Sequence, residues 1–279
     1  MKNAEKILCA VLAMLMLLPV TVFGAEEKLS YVVLGDSIGW GAGVLNSDEA
    51  VFGRIVADTN GYDFTNDAVN GYMTSDLLSH LEKENIASDV ASADIIGISI
   101  GGNNFLRGNM KQLIADASAG DYSGFDAIAA DFYTDFCAII EKIKALNPDA
   151  LIIVQTLYNP GQESIREVYQ QGADRLNAGY RRYLAENPGA YELIEVAEAF
   201  VGHPEYVAAD YIHPSAKGNE VIAKIVLEKL CETGLGENTE PVILHEGINQ
   251  TEIFSFKFIS YLFRSLIAKI KAMFTGIFR

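Results

Sequence analysis

The sequence predicts a three-layer α/β domain built on a mostly parallel, five-stranded sheet. Five short β-rich apolar runs recur along the chain, and amphipathic helical segments separate them. The strongest runs are apolar at nearly every position, as strands covered on both faces must be. Of the 279 residues, 50% are hydrophobic, enough for a sizeable core without disulfide or metal support.

Ahead of the domain, residues 1–25 read as a secretory signal peptide. Lys2 and Lys6 precede an apolar run over 7–22, and Gly24 and Ala25 supply small residues at its end. A retained membrane anchor is the alternative, because the run is close to the shortest that spans a bilayer. Cys9 lies within the run rather than behind a small residue at its end, which argues against a lipid-bearing cysteine.

The first strand is YVVLG over 31–35, stopped by glycine, and the helical pattern over 51–59 follows it. YDFTNDAV (62–69) is a weaker strand before a helix over 74–84. DIIGISIGG (94–102) and ALIIVQTLY (150–158) flank a long helix over 123–146 that stops at Asn147-Pro148. A helix over 164–186 ends at Asn187-Pro188-Gly189, and YELIEVAE (191–198) is the fifth strand. The helix over 216–231 carries Ile222, Ile225, Val226 and Leu230 at helical spacing. These elements bound one domain at 26–236, followed by a polar linker at 237–249 and a basic amphipathic helix at 250–279.

Charge narrows the partners. The chain carries −16; the leader (Lys2, Lys6, Glu5) accounts for +1 and the end from Gln250 for +4, which leaves −21 on the body. Such a body repels nucleic acid and favours a neutral substrate. Only Cys137 and Cys231 follow the leader, and spacing leaves their pairing open, with two small buried residues the simpler reading. Zinc-type Cys/His spacing is absent, so no metal and no cofactor are expected.

In open parallel sheets, ligands bind beyond the carboxyl ends of the strands, which directs attention to the loops that follow them. After strand one comes Gly-Asp-Ser, where Ser37 reads as a helix cap, part of a phosphate cradle, or a nucleophile. The cradle fails: Gly39, Gly41 and Gly43 match neither nucleotide-binding fingerprint. A serine nucleophile needs an imidazole base, and the base needs a carboxylate to fix its tautomer. His213 alone has an acid three residues earlier in a loop, Asp210 in ADYIHPSAKG; His203 has Phe200 there and reads as a loop or rim residue. Gly71 in NDAVNGY and Asn103 in SIGGNNF follow strands two and three as candidate oxyanion donors, and each is equally a turn residue taken alone.

As an ordered set, Gly-Asp-Ser, glycine, Gly-x-Asn and Asp-x-x-His resemble the blocks of the SGNH hydrolases, the GDSL esterase/lipase family, over roughly 31–230. The resemblance implies a flavodoxin-like sheet, Ser37 as nucleophile, His213 as general base and Asp210 as its orienting acid. It also implies an oxyanion hole from the Ser37 and Gly71 N–H groups and the Asn103 amide. One block departs: where the family has Gly-x-Asn-Asp, this chain has Asn104 after Asn103, which puts the positioning of Asn103 in question.

The expected activity is that of a secreted serine esterase or lipase acting on lipid, lysophospholipid or acetyl esters. The alternative is a non-catalytic carbohydrate- or lipid-binding module on the same fold. Trp40 is expected to pack beneath the nucleophile loop rather than line its rim, and 158–160 to shape an acyl pocket or simply turn. Residues 105–120 read as a lid or as surface. The tail is rich in Phe and Ile, with Lys257, Ser260, Arg264, Lys271 and Thr275 along one face. Its partner is a membrane surface, the acidic body or another subunit.

Overall fold

A computed structural model of the chain describes residues 28–108, 110–160 and 166–277, and the expected signal peptide at 1–25 lies outside them. Five strands form the sheet: β1 (Ser30–Gly35), β2 (Asp63–Asn66), β3 (Ile95–Ser99), β4 (Leu151–Gln155) and β5 (Glu192–Ile194). All adjacent pairs are parallel, in the order β2-β1-β3-β4-β5, which is the flavodoxin-like, doubly wound arrangement.

Alternation along the strands divides the apolar side chains between two cores. Val32, Leu34, Ile96, Ile98, Ile152 and Val154 face one layer of helices: α3 (Thr74–His80), α4 (Glu84–Ala91), α7 (Ser123–Leu146) and α8 (Arg166–Glu186). Tyr31, Val33, Ile95, Ile153 and Ile194 face the other: α2 (Phe52–Asn60) and α9 (Ala216–Glu232). Both faces are therefore covered, which is why the strands read as continuous apolar runs.

The helix expected over 74–84 is two helices. α3 ends at His80 and α4 starts at Glu84, with Leu81 buried between them, so the apolar period runs on through a break in the backbone. Cys137 on α7 and Cys231 on α9 are both free thiols, on helices that cover opposite faces of the sheet.

The stretch expected as a linker, 237–249, lies against the domain. Val242 N–H donates to Thr59 Oγ1 (3.0 Å), Leu45 N–H to the Ile248 carbonyl (2.8 Å), and Ile248 N–H to Asn46 Oδ1 (2.8 Å). Beyond it, a single turn (Gln250–Glu252) leads into α10 (Phe256–Ile277). Among the described residues no helix is long and apolar enough to cross a membrane.

Candidate active site

Strand order reverses between β1 and β3, so their carboxyl ends open a crevice at the topological switch point. Gly35 permits this junction: its φ is 134°, and a Cβ there would stand 1.8 Å from the Ser99 carbonyl oxygen. Directly after it, α1 (Ser37–Trp40) makes one turn, capped by Asp36 Oδ1 accepting from Ile38 N–H at 3.0 Å. Ser37 is the first residue of that turn, so its N–H has no intrahelical acceptor.

The hydroxyl of Ser37 meets a residue 176 positions away. Ser37 Oγ is 2.8 Å from His213 Nε2, and His213 Nδ1 is 2.7 Å from Asp210 Oδ2. A carboxylate only accepts, so Nδ1 carries the proton and Nε2 is left to accept from the serine. Asp210 Oδ1 accepts from the N–H groups of Ile212 (3.0 Å) and His213 (3.1 Å), which closes the loop into a tight turn. Tyr211 within that turn has φ 60°, a left-handed conformation rare for a side-chain-bearing residue. The loop is pressed onto the nucleophile segment at Gly43, where a Cβ would come within 1.7 Å of the Pro214 carbonyl oxygen.

Electrostatics separate the two aspartates. Burial raises the Asp210 carboxyl, but hydrogen bonds from the His213 ring and from the backbone N–H groups of His213 and Ile212 outweigh it and hold the group below the usual range. Asp36 is wholly buried, and burial pushes it up to about 7 against hydrogen bonds from the backbone of Ile38 and Gly101.

Gly71 and Asn103 form a second cluster at the crevice. Asn103 Nδ2 donates to the Tyr72 carbonyl (3.0 Å), which occupies one of its two amide protons and leaves the other for a ligand. Gly71 has φ 86°, with open space where a Cβ would sit, so backbone conformation rather than crowding calls for glycine. Its carbonyl accepts from Arg107 Nη1 (3.1 Å), which also reaches Asp76 Oδ2 (3.1 Å). Arg107 had no signal in the sequence beyond its charge.

Beside these residues lies an apolar slot lined by Ile38, Gly102, Phe105, Met110, Leu157 and Ile212, a cavity of about 70 Å³. Three of its lining residues, Ile38, Gly102 and Ile212, directly neighbour Ser37, Asn103 and His213 in sequence. Tyr158 also lines it, and its hydroxyl donates to the Ile212 carbonyl (2.6 Å), bracing the His213 loop. Burial, then the nearby Asp36 and Asp210, push the Tyr158 phenol well above its ordinary range.

Trp40 is not packed beneath the nucleophile loop; it is 45% exposed. Gly39 takes the inward position, where a Cβ would meet Ala68 Cβ at 2.9 Å, and the next residue on so short a turn faces solvent. His203 lies outside the triad, paired with Glu205 (2.9 Å) and stacked on Tyr206. Two short helices, α5 (Gly102–Leu106) and α6 (Met110–Ser118), supply slot wall: Phe105 and Leu113 are buried, and Phe105, Leu106 and Met110 line the cavity. Among the described residues no group of three or more metal-binding side chains gathers.

Known proteins resemble this chain in sequence and in fold. Residues 33–221 match the GDSL-like lipase/acylhydrolase family. The spore germination lipase LipC of Bacillus licheniformis is 27% identical over 220 residues, covering 75% of this chain and 97% of that protein. The crystal structure of the lipase Lip_vut3 from a goat rumen metagenome superposes with a TM-score of 0.59 at 27% identity, over 75% of this chain and 99% of that one. Phospholipase A1 from Streptomyces albidoflavus, 21% identical with a TM-score of 0.55 over 69% of this chain and 94% of its own, shares the fold.

Proposed function

The chain belongs to the GDSL-like lipase/acylhydrolase family and is a hydrolase of the esterase/lipase type; on that premise we propose that it is a secreted serine esterase selective for acyl chains longer than acetyl. The observation that carries the reaction is the continuous contact from Ser37 Oγ through the His213 ring to Asp210.

In this reading Ser37 Oγ attacks the ester carbonyl carbon while His213 Nε2 takes the serine proton. Asp210 holds the imidazole by Nδ1 and offsets the positive charge it gains. The oxyanion accepts from the N–H groups of Ser37 and Gly71 and from the remaining Asn103 amide proton. The bond from the carbonyl carbon to the alcohol oxygen breaks, and His213 returns its proton to that oxygen. Water then attacks the acyl-serine by the same route, releasing the acid and restoring the Ser37 hydroxyl.

The slot supports the choice of acyl group. Burying a methylene is worth about 0.8 kcal/mol, so each carbon that enters an apolar slot raises kcat/KM by about two- to fourfold until the slot is full. Secretion rests on the leader-like residues 1–25. A lipid surface is the proposed partner of α10: Ile259, Leu262, Phe263, Leu266, Ile270 and Phe274 are exposed, while Lys257 and Arg264 pair with Glu246 and Glu49 of the body.

Hydrolysis of p-nitrophenyl esters from acetyl to dodecanoyl tests the proposal. kcat/KM should climb with chain length and then level, and Ser37→Ala should abolish turnover. A flat or falling series contradicts the slot assignment.

A further inference from the structure

Asp210 has a partner that the family's sequence blocks do not contain. Gln250 Nε2 lies 3.3 Å from Asp210 Oδ2 and 3.4 Å from the Ala42 carbonyl oxygen. Both neighbours are pure acceptors, so the NH2 end of the amide must face them. Gln250 lies beyond residue 221, where the family match ends.

Its placement is fixed by the strap that precedes it. Asn46, 1% exposed, binds the strap with both ends of its amide, accepting from Ile248 N–H (2.8 Å) and donating to the Glu246 carbonyl (3.1 Å). Ile248 is buried, and Gly247 passes so close to Ala216 that a Cβ would meet its methyl at 2.7 Å. Asn249 Oδ1 accepts from Ala216 N–H (2.8 Å) at the start of α9, and Asn249 N–H donates to Glu252 Oε2 (2.9 Å). The turn carrying Gln250 is thus anchored both to the segment that follows the nucleophile turn, at Asn46, and to the segment that follows His213, at Ala216.

We propose that Gln250 is a positioning residue for the Ser37–His213–Asp210 relay, supplied by a C-terminal strap outside the family's shared region. Backbone N–H groups hold Oδ1 of Asp210, but the oxygen that meets the imidazole is Oδ2. A second donor on Oδ2 stops the carboxylate from rotating and gives this oxygen a fixed neighbour where water would otherwise compete. The strap therefore belongs to the machinery of the site, not to a tether. The inference rests on the triad reading above, yet its structural part is measurable without turnover.

Gln250→Met, similar in shape but without a donor, separates the hydrogen bond from packing, and Gln250→Ala is its companion. In the full chain, kcat on a short soluble ester should fall about three- to tenfold with KM within about twofold, as for loss of one long hydrogen bond of ordinary strength. In the Ser37→Ala background, the downfield Nδ1–H resonance of His213 should shift or broaden in Gln250→Met. That signature does not move if Gln250 only packs. A shifted resonance in a protein without Ser37-dependent hydrolysis upholds the Gln250–Asp210–His213 contact and sinks the triad reading, and with it the catalytic half of this inference. An unmoved resonance, or a wild-type kcat in Gln250→Met where the wild type does hydrolyse, overturns the inference.

Discussion

Asn104 grips Thr74 with both ends of its amide: Oδ1 accepts from Thr74 N–H at 3.3 Å and Nδ2 donates to Thr74 Oγ1 at 2.9 Å. The threonine hydroxyl passes its own proton to Asp135 Oδ2 at 2.9 Å. Here lies the physical sense of the departure from Gly-x-Asn-Asp. An aspartate at 104 would accept from the backbone equally well, but it could not donate to a hydroxyl whose proton is already committed to Asp135. The carboxylate of this network stands one step further out, on α7, and the chain pairs it with an amide at 104.

Asn104→Asp should therefore destabilise the protein. Two carboxylates would compete for one proton on Thr74, which is fully buried. The expected loss is about 1–2 kcal/mol, the cost of a buried polar contact left unmade, read from urea unfolding. A more stable variant would contradict the network as drawn.

The roles of Asp210 and Asn103 separate in kinetics. Asp210→Asn should lower kcat by about 10²–10⁴-fold, because an amide in place of the carboxylate no longer fixes the imidazole tautomer. Asn103→Ala should cost about 10²–10³-fold in kcat, with KM nearly unchanged, as for loss of an oxyanion donor. Steady-state kinetics on one soluble ester decides both, and a change confined to KM would remove either residue from the transition state.

Asp36 makes stability depend on pH. Its carboxyl is pushed up from 3.8 to about 7 when folded, so the folded chain holds that proton more tightly than the unfolded chain. Its contribution is complete below the unfolded value and is lost as pH rises through about 7. Relative to Asp36→Asn, which cannot titrate, wild type should lose on the order of 1–3 kcal/mol between pH 4.5 and 8.5. Urea midpoints of the two proteins across that range give the difference; a constant gap would show that Asp36 keeps its charge state.

Removing α10 should separate lipid binding from catalysis, provided the cut spares the strap. A chain ending at Ser255 keeps Gln250 and Glu252 while losing the exposed apolar face. It should no longer sediment with anionic phosphatidylglycerol vesicles, yet should hydrolyse a soluble short-chain ester at the full-length rate. Retained vesicle binding would move the lipid contact elsewhere.

Much of this was legible in the chain. β1, β3 and β4 announce themselves because strands buried on both faces are apolar throughout, and the period and Asn-Pro stop of the long helix mark its boundaries at 123–146. Ser37, Asp210 and His213 stood out because nucleophile, base and acid each occupy a loop after or beyond a strand. Gln250 did not, since a glutamine in a polar stretch has no periodicity or motif to mark it. Its partner lies 40 residues away, and the Asn46 and Asn249 clasps bring the two together. Trp40 misled for a related reason: an aromatic residue predicts burial, but a one-turn helix whose inward position is already glycine has nowhere to bury it.

The measurement closest to the central claim is labelling of the intact protein with a fluorophosphonate, followed by peptide mass mapping. One adduct on Ser37, absent from Ser37→Ala and strongly slowed in His213→Ala, is the result this account predicts. No adduct on a folded wild-type chain, or an adduct that survives in Ser37→Ala, would contradict it.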